Sequence, residues 1–300
     1  MSSSINFFGR ILNGYKANLH THSTNSDGSY SPEEVIRLYS GAGYDVVSFS
    51  DHRKTNKVSG YDGKNMTLLS GIEMHPMGPR GIMWHILAAG VPEDFTYNDA
   101  GTGQEAVDAA LAAGAAVFCA HPYWCGLTSA EVASLKGIHG IEVYNSSCRS
   151  IGRDYNMQNW DELLDAGYRY TGIAVDDVHT CKHLFRGYTV IAAEDKTPES
   201  LVAALKSGSF YSSQGPEFYS ITLENNILKA DFSPVSTAIV MRRRSGGNCF
   251  NMPDMTGPGT GKTQITHLEL DLSQYKDTYA RIQLCDDEGR MAWSNPVFIP

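Results

Sequence analysis

Four apolar runs of this sequence end in side chains that bind metals. They read Asn18-Leu19-His20-Thr21-His22, Ser48-Phe49-Ser50-Asp51-His52, Phe118-Cys119-Ala120-His121 and Ala174-Val175-Asp176-Asp177-Val178-His179. A fifth, Ser70-Gly71-Ile72-Glu73, ends in a carboxylate. Side chains alternate along an extended strand, so His20-x-His22 turns both imidazoles to one side, where they can grip one cation. Imidazoles and carboxylates gathered at one sheet edge suit Zn, Mn or Fe rather than an all-oxygen Mg site. The chemistry such a centre serves is hydrolysis, because a metal lowers the pKa of a bound water from 15.7 to about 7.

The elements that must position these side chains repeat one pattern: capped helix, glycine stop, apolar strand, ligand. Ser31-Pro32-Glu33-Glu34 is a helix start, with serine as cap, proline in the first turn and a glutamate reaching back. Gly41 and Gly43 stop that helix before the strand from Asp45 to Ser50. Thr102-x-x-Glu105 opens an alanine-rich helix that leads through Gly114 to the strand Ala115 to Ala120. Thr128-x-x-Glu131 precedes the strand Gly140 to Asn145, a helix around Trp160 to Ala166 precedes Thr171 to Val175, and Thr197-Pro198-Glu199 opens the last helix, ending near Gly208. Strands alternating with helices predict a parallel sheet, open or closed into a barrel, with sites at the carboxyl ends of the strands. After Gly215-Pro216 the period changes to strict alternation, as in Tyr279 to Leu284 and His267 to Leu272, with a hairpin turn at Asp286-Asp287-Glu288-Gly289. The expected division is an N-terminal segment 1–14, an α/β domain 15–215 and a small antiparallel β domain, a sandwich, over 216–300.

The order HxH, SDG, DH, GIE, a further His, AHP and DxH resembles the PHP family, named for polymerase and histidinol phosphatase, over about residues 15–213. The resemblance implies a distorted seven-stranded β/α barrel that holds two or three divalent transition metals. His20 and His22 would bind the first, with Glu73 and Asp177 as bridging carboxylates. Glu73, His85 and His121 would hold the second, and Asp27, His52 and His179 the third. Many relatives have histidine where this chain has Asp27, which bears on the strength or metal preference of the third site. His75 stands as an alternative to His85. Asp177, Glu73 and His179 carry the expected catalytic roles, with Asp51 and Asp176 orienting histidines. The implied reaction is hydrolysis of a small phosphomonoester, a nucleotide among the candidates, by metal-bound hydroxide. A phosphodiesterase or 5'-3' exonuclease on short oligonucleotides is the alternative enzyme. A metal-stabilised binding or regulatory protein is the alternative of another class.

Around that site, Arg149, Arg153, Lys182 and Arg186 fall in loops at the same rim, and arginine suits bidentate contact with phosphate. Arg149, Arg153, Arg186 and Asn145 are therefore the expected substrate contacts. Tyr144 and Trp124 offer aromatic faces there. Thr256-Gly257-Pro258-Gly259-Thr260-Gly261-Lys262-Thr263 approaches a phosphate-binding loop but lacks its first glycine, and strand-like alternation follows it, so it reads as a glycine-rich loop of the β domain. Arg242-Arg243-Arg244 reads as a solvated strand end.

The 300 residues suffice for one large and one small domain, and a net charge of -9 offers no broadly basic face to nucleic acid. No apolar run approaches the roughly 20 residues of a membrane helix, and the N-terminus lacks the pattern of a secretory signal. Six cysteines without CxxC spacing fit a reducing cytoplasm.

Overall fold

Ser31, Thr102 and Thr128 each accept a backbone N–H from the glutamate three residues on, whose carboxylate reaches back to the cap N–H. These reciprocal pairs satisfy groups that a helix start otherwise leaves bare. They open α1 (Pro32–Gly41), α2 (Gly103–Ala112) and, after the short α3 (Pro122–Cys125), α4 (Ser129–Val132). Helices α5 (Met157–Asp165) and α6 (Pro198–Ser207) complete the set in the computed structural model, which describes residues 3–251, 264–276 and 278–299. The near phosphate-binding loop at 256–263 lies outside the described residues. No helix among them is long and apolar enough to cross a membrane.

The strands up to Gly215 are β1 (Ser3–Phe7), β2 (Arg10–Asn18), β3 (Val46–Phe49), β4 (Thr67–Met74), β5 (Ile86–Ala89), β6 (Ala116–Cys119), β7 (Gly140–Asn145), β8 (Thr171–Val175), β9 (Tyr188–Ala193) and β10 (Phe210–Ser213). Two parallel blocks, β2-β3-β4 and β6-β7-β8, flank β5. The uniformly parallel sheet expected from the helix–strand alternation is corrected here: β5 runs antiparallel to both neighbours. A parallel neighbour needs a long crossover, usually helical, and no α-helix lies between β4 and β5. Strand β9 is antiparallel to β2 and β10. No strand ladder joins β8 to β9, so the sheet is not closed, and the seven-stranded barrel is corrected to an open mixed α/β sheet. The hydroxyl of Thr189 in β9 spans the seam instead, donating to Ala174 O at 3.1 Å and accepting from Ala174 N at 3.3 Å.

The rest of the chain, beyond Gly215, forms β11 (Phe218–Glu224), β12 (Ile227–Val235), β13 (Thr237–Arg242), β14 (Gly247–Phe250), β15 (Ile265–Asp271), β16 (Thr278–Cys285), β17 (Met291–Ser294) and β18 (Val297–Ile299). Hydrogen bonding continues across the change of pattern: β10 pairs with β17, and β1 pairs with both β2 and β11. Asn295 accepts from Gly172 N and donates to Gly208 O and Phe210 O. Arg281, fully buried on β16, grips Asp161 of α5 with two bonds of 2.8 Å beneath the Trp160 ring. One apolar core joins Ile5, Val35 and Phe49 to Phe218, Leu268 and Ile282.

Candidate metal centre

The ligand-type side chains converge at one edge of this sheet. His20 and His22 follow β2, His52 follows β3, Glu73 lies near the end of β4, His121 follows β6, and Asp177 and His179 follow β8. His85 precedes its strand rather than ending it. Because β5 is reversed, its beginning lies beside its neighbours' ends. Two of these residues adopt backbone conformations uncommon for side chains with a Cβ: His121 has φ 25° and Asp177 φ 50°. Such positions cost of order 1–3 kcal/mol each, held by the surrounding structure.

Glu73 is the hub. Its Oε1 lies 2.7 Å from His85 Nδ1 and 3.3 Å from His121 Nε2. Its Oε2 lies 3.4 Å from the Nε2 atoms of His20 and His22. Asp177 Oδ1 lies 3.0 Å from His22 Nε2 and 3.4 Å from His20 Nε2. A third group is more exposed: Asp27 Oδ1 is 3.4 Å from both His52 Nε2 and His179 Nε2. All nine ligand-type residues expected from the sequence thus fall in one cluster. His75 joins it beside His85 rather than in its place, with Nε2 2.7 Å from His52 Nδ1.

The residues fit cations. Glu73 Oε2 and Asp177 Oδ1 are buried, and their nearest neighbours are imidazole nitrogens, His52 Nδ1 at 2.7 Å and His22 Nε2 at 3.0 Å. A buried carboxylate oxygen is costly unless paired, and imidazole nitrogens facing it from several sides complete a metal donor set. Burial opposes the charge of Glu73, yet His20, His85 and His121 hold its carboxyl well below the usual range. Burial likewise opposes the charge of Asp177, which His20, His22 and His179 hold low. Burial pushes His85 down to about 4 despite Glu73 beside it, so its ring is neutral with a free lone pair.

The supporting contacts differ from the expected ones. Asp51 accepts from Ser23, Ser26 and Asn56, and Asp176 from Tyr39 and the backbone of residues 185–187; neither bonds an imidazole. Sequence reasoning missed Glu142. This fully buried carboxylate on β7 lies 2.6 Å from His20 Nδ1 and accepts from His121 N at 2.9 Å. The signal was present: Gly140-Ile141-Glu142 repeats the Gly71-Ile72-Glu73 of β4. Asn145, buried, donates to Glu142 and to Asp177 Oδ2. His179 Nδ1 lies 3.0 Å from the Asp177 carbonyl, and Cys125 Sγ lies 3.5 Å from His121 Nδ1.

The cluster opens onto a cavity of about 300 Å³ whose other walls are Trp124, Ser147, Cys148 and Ser150. Its lining includes none of the three arginines expected there. Arg149 faces Asp154 at 3.8 Å, Arg153 donates to the carbonyls of Tyr123 and Trp124, and Arg186 donates to Lys182 O. A larger depression of about 590 Å³ beside Gly90, Pro198, Val202 and Lys206 lies away from the cluster and holds no comparable donor set.

No family model matches the sequence, and no curated protein matches it. Solved structures do. A two-domain protein from Bacteroides vulgatus, described as containing a predicted PHP-like metal-dependent phosphoesterase, matches with TM-score 0.52 and 15% identity over 95% of this chain and 96% of that one. An amidohydrolase from Chromobacterium violaceum, with sulfate bound and no metal, covers 54% of this chain and 87% of its own at TM-score 0.43 and 15% identity. A protein from Bifidobacterium adolescentis assigned as a metal-dependent phosphoesterase covers 55% and 87% at TM-score 0.43 and 16% identity. The near-complete mutual coverage of the first match spans both the ligand-bearing strands and the strands beyond Gly215, and on it the chain shares the overall fold of that protein.

Proposed function

We propose that the protein is a metal-dependent hydrolase of phosphate esters, acting on a small phosphomonoester. The observation that carries this reading is the convergence of six histidines on Glu73, Asp177 and Asp27, with two buried carboxylate oxygens faced by imidazole nitrogens at its centre. His20, His22, Glu73 and Asp177 would hold one cation, Glu73, His85 and His121 a second, and Asp27, His52 and His179 a third. Divalent cations there would supply Lewis acidity toward a phosphoryl oxygen and lower the pKa of an attacking water.

The chain's own residues fix that arrangement. With its proton on Nδ1 donated to Glu142, His20 keeps the Nε2 lone pair turned toward Glu73 and Asp177. Asn145 holds Asp177 by its Oδ2 and leaves Oδ1 facing His22. The Asp177 carbonyl fixes His179 through Nδ1, leaving Nε2 toward Asp27. Residues 15–215 supply every one of these groups, and 216–300 buttress them. Six free cysteines are consistent with work in a reducing compartment.

The test is a screen of phosphomonoesters and phosphodiesters with Mn, Zn or Fe, with metal content measured on the same sample. Hydrolysis of a phosphomonoester that Asp177→Asn lowers by two orders of magnitude or more is expected. Metal-loaded protein that cleaves no phosphate ester would remove the proposal.

A further inference from the structure

The walls of the cavity that are not ligand-type residues carry a second selection, one that rests on the phosphoesterase reading. They are an indole, two hydroxyls and a thiol: Trp124, Ser147, Ser150 and Cys148. No lysine or arginine lines the cavity, so a substrate with further phosphates would carry them away from the cations onto uncharged walls. Trp124 stands with its ring centroid 5.5 Å from His85 and 5.2 Å from His121, steeply inclined to both at 68° and 80°. It is 42% exposed, so its ring is free for a second contact. Its backbone carbonyl and that of Tyr123 accept from Arg153, whose guanidinium also covers the Tyr123 ring. The short helix α3 that presents the indole is thereby held, and the arginine is turned to that helix rather than the cavity.

We infer that Trp124, Ser147 and Ser150 together form the leaving-group subsite, and that the substrate is a phosphomonoester of a planar, uncharged ring. An aromatic face stacks on any such ring, and the hydroxyls can donate to or accept from its polar edge. The cavity's modest volume and uncharged walls favour this class over an oligonucleotide, whose next phosphate would need a cationic partner.

Isothermal titration of the metal-loaded protein with two non-hydrolysable probes, phenylphosphonate and methylphosphonate, tests the subsite without relying on turnover. The wild-type protein should bind the phenyl compound about tenfold more tightly, the scale of one aromatic stack. Trp124→Ala should abolish that preference while leaving methylphosphonate affinity and metal content unchanged, and Trp124→Phe should keep part of it. In turnover, the alanine variant should raise KM for phenyl phosphate and not for glycerol 2-phosphate. Equal affinity of the wild-type protein for both probes, or a preference that survives Trp124→Ala, overturns the subsite and leaves the metal centre standing. Failure to bind either probe overturns the phosphate reading and the subsite together.

Discussion

Glu142 Oε1 lies 2.6 Å from His20 Nδ1, across 122 positions of sequence, and both side chains are wholly buried. The contact fixes which imidazole nitrogen faces Glu73 and Asp177. Glu142→Gln keeps the shape and removes the charge, so it should weaken metal binding about 10–100-fold with the fold intact. Competition with a chromogenic chelator, alongside circular dichroism, reads both quantities. Unchanged affinity would show that His20 needs no such partner.

His121→Ala should lose one metal equivalent and keep the others, because only the Oε1 side of Glu73 depends on that ring. Elemental analysis of the purified variant gives the count. Loss of every metal, with the chain still folded, would mean the cluster binds as one indivisible unit.

Chelation should lower the melting temperature without unfolding the protein. The apolar cores persist without cations, and bound ligand adds only about 2.7 kcal/mol at a hundred times its Kd. A scanning calorimetry trace that shows no transition after chelation would contradict this and make the metals part of the folding nucleus.

Arg281→Ala should cost about 3 kcal/mol, the lower end for breaking a buried ion pair, since the Asp161 side chain is 30% exposed and can rehydrate. Arg281→Met, which keeps the stem against Trp160 and drops the charge, should cost less than the alanine variant. Urea midpoints at constant slope give both numbers. An alanine variant as stable as the wild-type protein would show that this strut between β16 and α5 carries no weight.

A chain ending at Gly215 retains every proposed ligand but leaves β10 without its partner β17 and Gly172 without the Asn295 acceptor. Such an open edge invites pairing with other chains, so the truncated protein should elute as oligomers in size-exclusion chromatography. A monomeric, fully metallated product would show that the ladder across residue 215 is dispensable.

The clustering of these side chains was legible because most of them sit within a few residues of a strand terminus, where local pattern fixes position; Asp27, in the loop between β2 and α1, is the exception. Strand direction was not: Ile86-Leu87-Ala88-Ala89 is buried on every side and reads the same either way. The mixed α/β class followed from helix caps that the structure reproduces, whereas closure depended on β8 and β9 meeting, which no local signal encodes. The arginines misled because a loop residue's number does not say where a long side chain points. Arg153 is spent on two carbonyls of α3 beside it. Glu142 was hidden by the opposite effect, since its partner lies far away in sequence.

The two oxygens of Glu73 face different groups of imidazoles, Oε1 toward His85 and His121 and Oε2 toward His20, His22 and, at 2.7 Å, His52. A carboxylate is planar and rigid, so it cannot turn one oxygen without turning the other. Were cations held on both sides as proposed, the tilt imposed by one would be felt by the other. Binding on the two sides would then be coupled through a single side chain.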